Sequence, residues 1–316
     1  MKKLKILMAF SLIAAMLPGC GGVTTTGSGG ADTAAASSEA VAAASTAPSE
    51  TVAAASETAA PADASSEAVA ANADANASTG DLGLLKPGVL QIGCEIGYPP
   101  FEYFGDDGTT PIGFDIDLGD AIAQELGVQP VRVDTAWDGI FAGLAAKKYD
   151  CIISAVTINA DRAQTMDFST PYIENWQSIV IKKGNTPITS VKGLEGLKVG
   201  YQGSTTSDDY LNNQIKTGVL NCQTFPYDKI LNCFDDLNLG RLDAVICDST
   251  VADGYISREP DKYEISWLQS SEAGAEAETF GVAVDKGNTQ LLNAVNDALQ
   301  KMKDSGKLDE LLKSWF

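Results

Sequence analysis

The sequence predicts an α/β fold built from two successive series of strands and helices. From Val89 onward, short apolar runs of strand length alternate with segments whose apolar residues recur at helical spacing. The run Ser178–Lys182 then leads out of this first series, and a second series of the same kind begins at Leu197. Strands that alternate with helices in this way are typical of parallel, wound sheets.

The first series contains three strands and two helices. Its strands are the apolar runs Val89–Cys94, Val131–Val133 and Cys151–Ile153. Its helices have apolar residues on one face: Ile116, Ala121, Ile122 and Leu126 in the first, and Ile140, Leu144 and Ala145 in the second.

The polar stretch after the third strand holds a candidate anion-binding residue. Asn159 is suited to cap a helix that starts near Ala160, which puts Arg162 in the first helical turn. A cation there opposes the helix dipole, and its planar guanidinium suits a carboxylate partner. The alternative is a surface arginine that pairs with Asp161 or Asp167.

The second series continues to the end of the chain. Its predicted strands are Leu197–Gly200, Cys222–Phe225, Asp243–Cys247 and Phe280–Val284. Its predicted helices start near Ser207, cover Asp228–Leu239 and Thr289–Lys303, and end with a short helix through Phe316. Asp248 follows directly after a strand, where it could bind a ligand or cap the next helix.

Composition excludes several classes of function. The 316-residue chain has 44% hydrophobic residues, enough for a sizeable core, and a net charge of −20. It has no histidine, which argues against histidine-dependent nucleophilic catalysis and most zinc sites. The acidic balance argues against nucleic acid as a partner. We therefore expect no enzyme activity, no cofactor and no metal.

The N-terminus predicts export. A basic start and an apolar run from Ile6 to Leu17 precede the sequence Leu-Pro-Gly-Cys, which is similar to a lipobox. Residues 1–20 are thus predicted to be a lipoprotein signal, with Cys20 as the lipid attachment site on the outer face of the cell membrane. An ordinary secretory signal without lipid is the alternative.

Residues 21–80 have the composition of a disordered tether. They are rich in Ala, Ser and Thr, and they contain no Lys, Arg, Leu, Ile or aromatic residue. The octapeptide Ala36–Ala43 recurs at Ala64–Ala71. Such a segment cannot bury enough apolar surface to offset the entropy lost on ordering.

Five further cysteines lie in the predicted domain. Cys94, Cys151 and Cys247 fall in apolar strands, which favours buried free thiols. Cys222 with Cys233 is the one pairing that merits a test for a disulfide.

Six runs in order carry a resemblance to a known family. They are YPPFEY at Tyr98, GFDIDLGDAIAQELG at Gly113, WDGIFAGLAAKKYD at Trp137, SAVTINADRAQTMDFSTPY at Ser154, VGYQGSTTSDDY at Val199 and GRLDAVICD at Gly240. From about Lys86 to Phe316 the chain resembles the bacterial extracellular solute-binding proteins of family 3, the amino-acid receptors of ABC importers.

The resemblance implies a type II periplasmic-binding-protein fold, with two lobes, a cleft and a two-strand hinge. Residues 81–180 and 280–316 would form lobe 1, and residues 181–279 would form lobe 2. The crossings between lobes are expected near Ile179–Lys183 and Glu278–Gly281.

The resemblance also implies roles for residues that grip an amino acid's main-chain groups. Arg162 would hold the α-carboxylate, with help from Thr157 and from Thr205 of lobe 2. Ser204, in the same turn as Thr205, is also expected to be a ligand-binding residue. Asp248 would accept the α-ammonium, assisted by Thr157 and the carbonyl of Ala155.

Three further residues are expected around the ligand side chain. Tyr98 and Trp137 would form the walls, and Glu95 would reach the distal end. The alternative interpretation is that Tyr98 and Trp137 are ordinary core aromatics and that Glu95 is a solvated turn residue. A carboxylate beside aromatic faces favours a cationic amino acid such as Arg, Lys or His, although a glutamine amide would also fit.

The function implied is that of a monomeric, lipid-anchored receptor that passes a polar L-amino acid to a membrane ABC permease. Two other classes stay open at this point. A family-3-like dehydratase would convert prephenate or arogenate, and a surface adhesin would bind no small molecule.

Overall fold

The computed structural model describes residues 82–316, which all belong to one unit of the chain, Ala70–Phe316. The predicted signal peptide, Cys20 and the tether lie outside the described residues. Within the described range, the helices are too short or too polar to span a bilayer.

Fourteen strands and seven α-helices follow one another in the described part of the chain. In chain order they are β1 (Val89–Cys94), β2 (Tyr103–Phe104), β3 (Pro111–Ile112), α1 (Phe114–Leu126), β4 (Gln129–Asp134), α2 (Trp137–Ala145), β5 (Cys151–Ile152), β6 (Met166–Phe168), β7 (Ile173–Asn175), β8 (Gln177–Lys182), β9 (Lys198–Gln202), α3 (Thr206–Lys216), β10 (Gln223–Tyr227), α4 (Ile230–Asn238), β11 (Ala244–Asp248), α5 (Ser249–Arg258), β12 (Tyr263–Leu268), β13 (Glu278–Phe280), β14 (Ala283–Asp285), α6 (Thr289–Asp304) and α7 (Lys307–Trp315).

Lobe 1 is organised around a five-stranded sheet with the order β4-β1-β5-β14-β6. Strand β1 runs parallel to β4 and β5, as the first series predicted. Strand β14, from the last part of the chain, enters antiparallel between β5 and β6. The sheet is therefore mixed, and both ends of the described chain contribute to it.

Lobe 2 has a second five-stranded sheet with the order β10-β9-β11-β8-β12. Strand β9 lies parallel to β10 and β11, whereas β8 pairs antiparallel with β11 and β12. Because β8 pairs along its length inside this sheet, the chain has already entered lobe 2 by Gln177.

Two short strands connect the lobes. Strands β7 and β13 pair antiparallel and form a separate two-stranded ladder. The second crossing lies at the position expected, near Glu278. The expectation of a first crossing at Ile179–Lys183 was wrong, because those residues belong to the lobe 2 sheet and the crossing lies earlier, at β7.

Helices cover the sheets with the apolar faces that the spacing predicted. In α1, Ile122 is fully buried and Leu126 is nearly so, and Leu291, Val295 and Leu299 of α6 belong to the same core. Burial of each such aliphatic side chain contributes about 1.5–3 kcal/mol relative to exposure. This core fixes β1 and β5, whose carboxyl ends carry predicted site residues.

Several elements differ from the sequence prediction. The predicted strand Phe280–Val284 is divided, because β13 pairs in the hinge and β14 pairs in the lobe 1 sheet. Helix α5 and strand β12 had no predicted boundaries. The predicted α-helix near Ala160 is instead a 3-10 turn over Arg162–Gln164, because the chain returns into β6 at Met166.

The five cysteines of the described region are free. Cys94, Cys151 and Cys247 are buried, as predicted, and burial raises the pKa of each thiol. Cys233 is buried on α4 while Cys222 is partly exposed, and the two do not form a disulfide.

Candidate functional site

A cleft lies where the carboxyl ends of β1 and β5 in lobe 1 face those of β9 and β11 in lobe 2. This is the usual place for a ligand in α/β sheets. The residues that line it are Glu95, Tyr98, Trp137, Ser154, Ala155, Thr157, Arg162, Gln202, Thr205, Thr206 and Asp248. All the predicted site residues are among them except Ser204.

Ser204 contributes through its backbone at the edge of the cleft. Its carbonyl oxygen accepts a hydrogen bond of 2.9 Å from the Trp137 indole Nε1. Because Trp137 belongs to lobe 1 and Ser204 to lobe 2, this bond links the lobes across the cleft. Ser204 has a left-handed φ of 61°, which turns the chain sharply before α3.

Arg162 is held in place without a carboxylate partner. The side chain of Asn159 accepts the backbone N–H of Arg162 at 2.9 Å, so Asn159 caps the 3-10 turn. The guanidinium donates to the carbonyl of Thr157 at 3.1 Å and lies over the rings of Trp137 and Phe141, 5.3 and 4.9 Å from their centroids. Cation–π contacts of this kind position the charge without neutralising it.

The alternative pairing of Arg162 with neighbouring aspartates does not occur. Asp167 pairs instead with Lys286 at 2.7 Å. Among residues 82–316 no carboxylate lies within 4.0 Å of the Arg162 guanidinium. Burial lowers the pKa of Arg162, while the negative field of Asp248 opposes that shift. Within the described residues, Arg162 is therefore a cation with no contacting carboxylate, and an anion in the cleft would stabilise its charge.

Asp248 provides the opposite charge from lobe 2. It is 5% exposed, and its carboxylate accepts hydrogen bonds from the Tyr98 hydroxyl at 2.6 Å, Asn175 Nδ2 at 2.6 Å and Gln177 Nε2 at 3.1 Å. Burial raises its pKa, and these donors together with Arg162 counteract that effect. Asp248 stands at the N-cap position of α5, but its side chain makes no capping bond to that helix.

Glu95 lies at the distal side of the cleft and is 3% exposed. Its carboxylate accepts hydrogen bonds from Gln202 Nε2 at 2.6 Å and from the Trp137 backbone N–H at 3.2 Å. Burial raises the pKa of Glu95, whereas these bonds and the positive field of Lys229 lower it. A buried carboxylate in such a position favours a cationic or hydrogen-bonding group at its open side.

The floor of the cleft is built by strained and buried backbone. Ala155 has a left-handed φ of 47°, and its N–H donates to the Asp115 carboxylate at 2.6 Å. Asp115 also accepts the Tyr172 hydroxyl at 3.1 Å, and burial raises its pKa to about 7. Non-glycine residues with positive φ cost free energy and tend to cluster at functional sites.

Close contacts hold the two lobes together around the cleft. The Lys229 ammonium of lobe 2 donates to the carbonyl of Ile96 in lobe 1 at 3.0 Å. Helix α5 approaches the Pro99–Pro100 segment so closely that a Cβ at Gly254 would lie 2.7 Å from Pro100 Cδ. The lobes are therefore packed against each other in a closed arrangement.

Three cleft residues were missed from the sequence: Ser154, Gln202 and Thr206. Gln202 ends β9 as Glu95 follows β1, so its position at a strand end was the available signal. Ser154 accepts the Glu95 N–H at 3.1 Å and donates to the buried Glu102 carboxyl at 2.5 Å. Thr206 starts α3, and its hydroxyl lies 3.5 Å from that of Thr157.

Comparison with known proteins gives consistent results. The sequence model of the bacterial extracellular solute-binding proteins, family 3, matches residues 90–316. The L-cystine-binding protein TcyJ of Escherichia coli is 36% identical over 244 residues, which cover 76% of this chain and 88% of that protein.

Two solved structures are similar in fold and sequence. An ancestral arginine-binding protein bound to arginine is 38% identical with a TM-score of 0.66, and the match covers 72% of this chain and 98% of that one. The ancestral amino acid-binding protein AncCDT-1, a precursor of cyclohexadienyl dehydratase, is 34% identical with a TM-score of 0.66, covering 72% and 96%.

The family and the two-lobe α/β fold predicted from the sequence are thus confirmed. The family match covers most of the described chain, and it includes both lobes and every residue of the cleft. The chain belongs to the bacterial extracellular solute-binding proteins, family 3.

Proposed function

We propose that the domain is a receptor for a free L-amino acid, which it binds between its lobes as a zwitterion. The observation that carries this proposal is that Arg162 and Asp248 present opposite charges from different lobes to one cleft. The α-carboxylate would pair with Arg162, with Thr157 and Thr205 beside it, and the α-ammonium with Asp248. A ligand that contacts both lobes favours the closed state through its differential affinity.

A cationic side chain fits the distal part of the cleft best. The Glu95 carboxylate would pair with a guanidinium or ammonium, and Tyr98 and Trp137 would provide aromatic walls. Arginine is the ligand named for one similar structure. Glutamine is an alternative, because its amide could donate to Glu95.

Cystine is a second candidate ligand. It has a second zwitterionic end, which would need an anion and a cation at the distal side. Glu95 is an anion there, and the positive field of Lys229 reaches it. The 36% identity with the L-cystine-binding protein TcyJ also favours this ligand.

Glu95→Gln separates these ligands. We expect the substitution to weaken binding of arginine by about 1.5–3 kcal/mol, on the order of 10- to 100-fold, because a charge-assisted contact is lost. Binding of glutamine should change by less than about threefold. Titration calorimetry with arginine, lysine, histidine, glutamine and cystine measures both effects, and the exposed Glu276→Gln is the matched control.

The result of that series decides the proposal. Saturable binding of an amino acid supports the receptor, and the preferred ligand identifies the side-chain class. Binding of none of the five contradicts it. If Glu95→Gln weakened the binding of arginine and of glutamine equally, Glu95 would not distinguish between ligand side chains.

We propose binding without turnover. The similarity to a precursor of cyclohexadienyl dehydratase makes a dehydratase the enzyme class to test. The carboxylates of the cleft are engaged by protein donors: Glu95 by Gln202, and Asp248 by Tyr98, Asn175 and Gln177. Product formation from prephenate or arogenate would contradict this proposal, and so would tight binding of prephenate, which has no α-ammonium, in place of an amino acid.

We also propose that Cys20 anchors the protein by lipid to the outer face of the cell membrane, with residues 21–80 as the tether. The monomeric receptor would then deliver its ligand to an ABC permease in that membrane. Cys20→Ser is expected to move the protein from the membrane fraction to the soluble exported fraction and to abolish fatty-acid labelling. Unchanged fractionation and labelling of the variant would contradict the anchor.

A further inference from the structure

The two hinge strands reach the ammonium site directly. Asn175 on β7 and Glu278 on β13 are opposite each other in the hinge ladder. Asn175 Nδ2 donates to Asp248 Oδ1 at 2.6 Å and lies 3.4 Å from Glu278 Oε2. One amide therefore connects the carboxyl group that faces the cleft with a carboxyl group on the hinge.

A second amide repeats this connection. Gln177 Nε2 lies 3.1 Å from Asp248 Oδ1 and 3.0 Å from Glu278 Oε2. The hydroxyl of Thr206, which lines the cleft, also donates to Glu278 Oε2 at 3.2 Å. Glu278 is thus one hydroxyl away from the cavity, and it shares both of its amide donors with Asp248.

The charges around Glu278 make its protonation state sensitive to the cleft. Burial first and the negative field of Asp248 second raise the pKa of Glu278 to about 7. The carboxyl groups of Asp248 and Glu278 both act electrostatically on Arg162. Asp209 on α3 acts on Arg162 as well. The hydrogen-bond donors to Glu278 are neutral: Asn175 of β7, Gln177 of β8 and Thr206 of α3.

We propose that Glu278 is a positioning residue of the ammonium site that releases a proton to solvent when an amino acid binds. The O–H bond of its carboxyl breaks, the proton passes to the buffer, and the carboxylate remains hydrogen-bonded to Gln177 and Thr206. An incoming α-ammonium at Asp248 offsets the repulsion between the two carboxylates. The inference rests on the proposed assignment of the α-ammonium to Asp248.

The consequence is a linkage between affinity and pH. The ligand-bound state holds fewer protons than the free state, so affinity rises with pH through the range in which free Glu278 titrates. In the ligand-free closed arrangement the pKa of Glu278 is about 7. If the group is fully ionised in the complex, the dissociation constant for binding to that arrangement falls by about tenfold from pH 6 to pH 8. Because Glu278 lies in the hinge ladder, release of the same proton links closure of the two lobes to occupancy of the cleft by the amino acid.

Glu278→Gln tests the proposal on the full chain. Titration calorimetry at pH 7 in phosphate and in Tris, with L-arginine and L-glutamine as probes, gives the protons released per ligand. We expect on the order of half a proton from the wild type and from the exposed control Glu276→Gln, and none from Glu278→Gln. The dissociation constant of Glu278→Gln should vary by less than about twofold between pH 6 and pH 8.

Two further variants keep the test decisive. Glu278→Asp retains an ionisable group and should release protons, and Glu95→Gln should still release protons with glutamine because Glu278 is intact. Release from Glu278→Gln equal to that of the wild type, or no release by a wild type that binds, would overturn the proposal. If the wild type binds no amino acid, the proposed function fails and this inference with it.

Discussion

Arg162→Ala is expected to abolish high-affinity binding of every amino acid. The carboxylate is common to all of these ligands, and among the described residues Arg162 is the only cation that lines the cleft. Removing one partner of a buried charge pair costs about 2–5 kcal/mol, which corresponds to on the order of thirtyfold or more in affinity. Asp248 would also lose the cation whose field stabilises it.

The measurement compares two ligands in two proteins. The wild type should discriminate strongly between an amino acid and the corresponding amine that lacks the carboxylate, and Arg162→Ala should lose that discrimination. Arg241→Ala is the matched control, because its side chain is 67% exposed in a surface pair with Asp236. If the affinity of Arg162→Ala for amino acids fell by no more than about threefold, roughly 0.7 kcal/mol, Arg162 would not hold the carboxylate.

Asp248→Asn has the second largest expected effect. The substitution removes the charge that faces the α-ammonium and places an amide among the donors Asn175 and Gln177. We expect a loss of about 2–4 kcal/mol for amino acids, whereas a carboxylic acid that lacks the ammonium should bind both proteins about equally.

The matched control for Asp248→Asn is Asp253→Asn, because Asp253 is an exposed residue on the same helix α5. The control should bind amino acids like the wild type. Parallel weakening of the amino acid and of its deaminated analogue would instead mean that Asp248 supports the cleft without contacting the ammonium.

The fold was predictable where its elements depend on local pattern. Buried apolar runs gave β1, β5 and β11, and helical spacing gave α1 and α6. The division of the predicted strand Phe280–Val284 was not predictable, because its two halves pair with different sheets. The sequence also did not predict that the turn at Arg162 is a 3-10 turn. The side chain of Asn159 accepts the Arg162 N–H, and the same hydrogen bond would cap an α-helix.

The predicted site residues came together because they follow strand ends or stand in recognisable runs. The resemblance supplied their roles, which remain predictions. Gln202 was missed although it stands at a strand end, because its partner Glu95 belongs to the other lobe. Thr206 was missed because only the meeting of the lobes brings it opposite Thr157. Nothing in the sequence marked Glu278 as a residue near the cleft, because a polar residue in a short strand is common and its partners are visible only in the structure.

The interleaved composition of lobe 1 has a consequence for biogenesis. Strand β14 lies between β5 and β6, so the sheet that begins with β1 stays incomplete until residue 285 has been synthesised and exported. The lobe 2 sheet, by contrast, comes from the continuous stretch 177–268, and the pairing of its strands needs no later residue. Since non-local pairing slows folding, the second lobe should become ordered first after translocation, and the receptor becomes competent only when β14 and the helices that follow it have arrived.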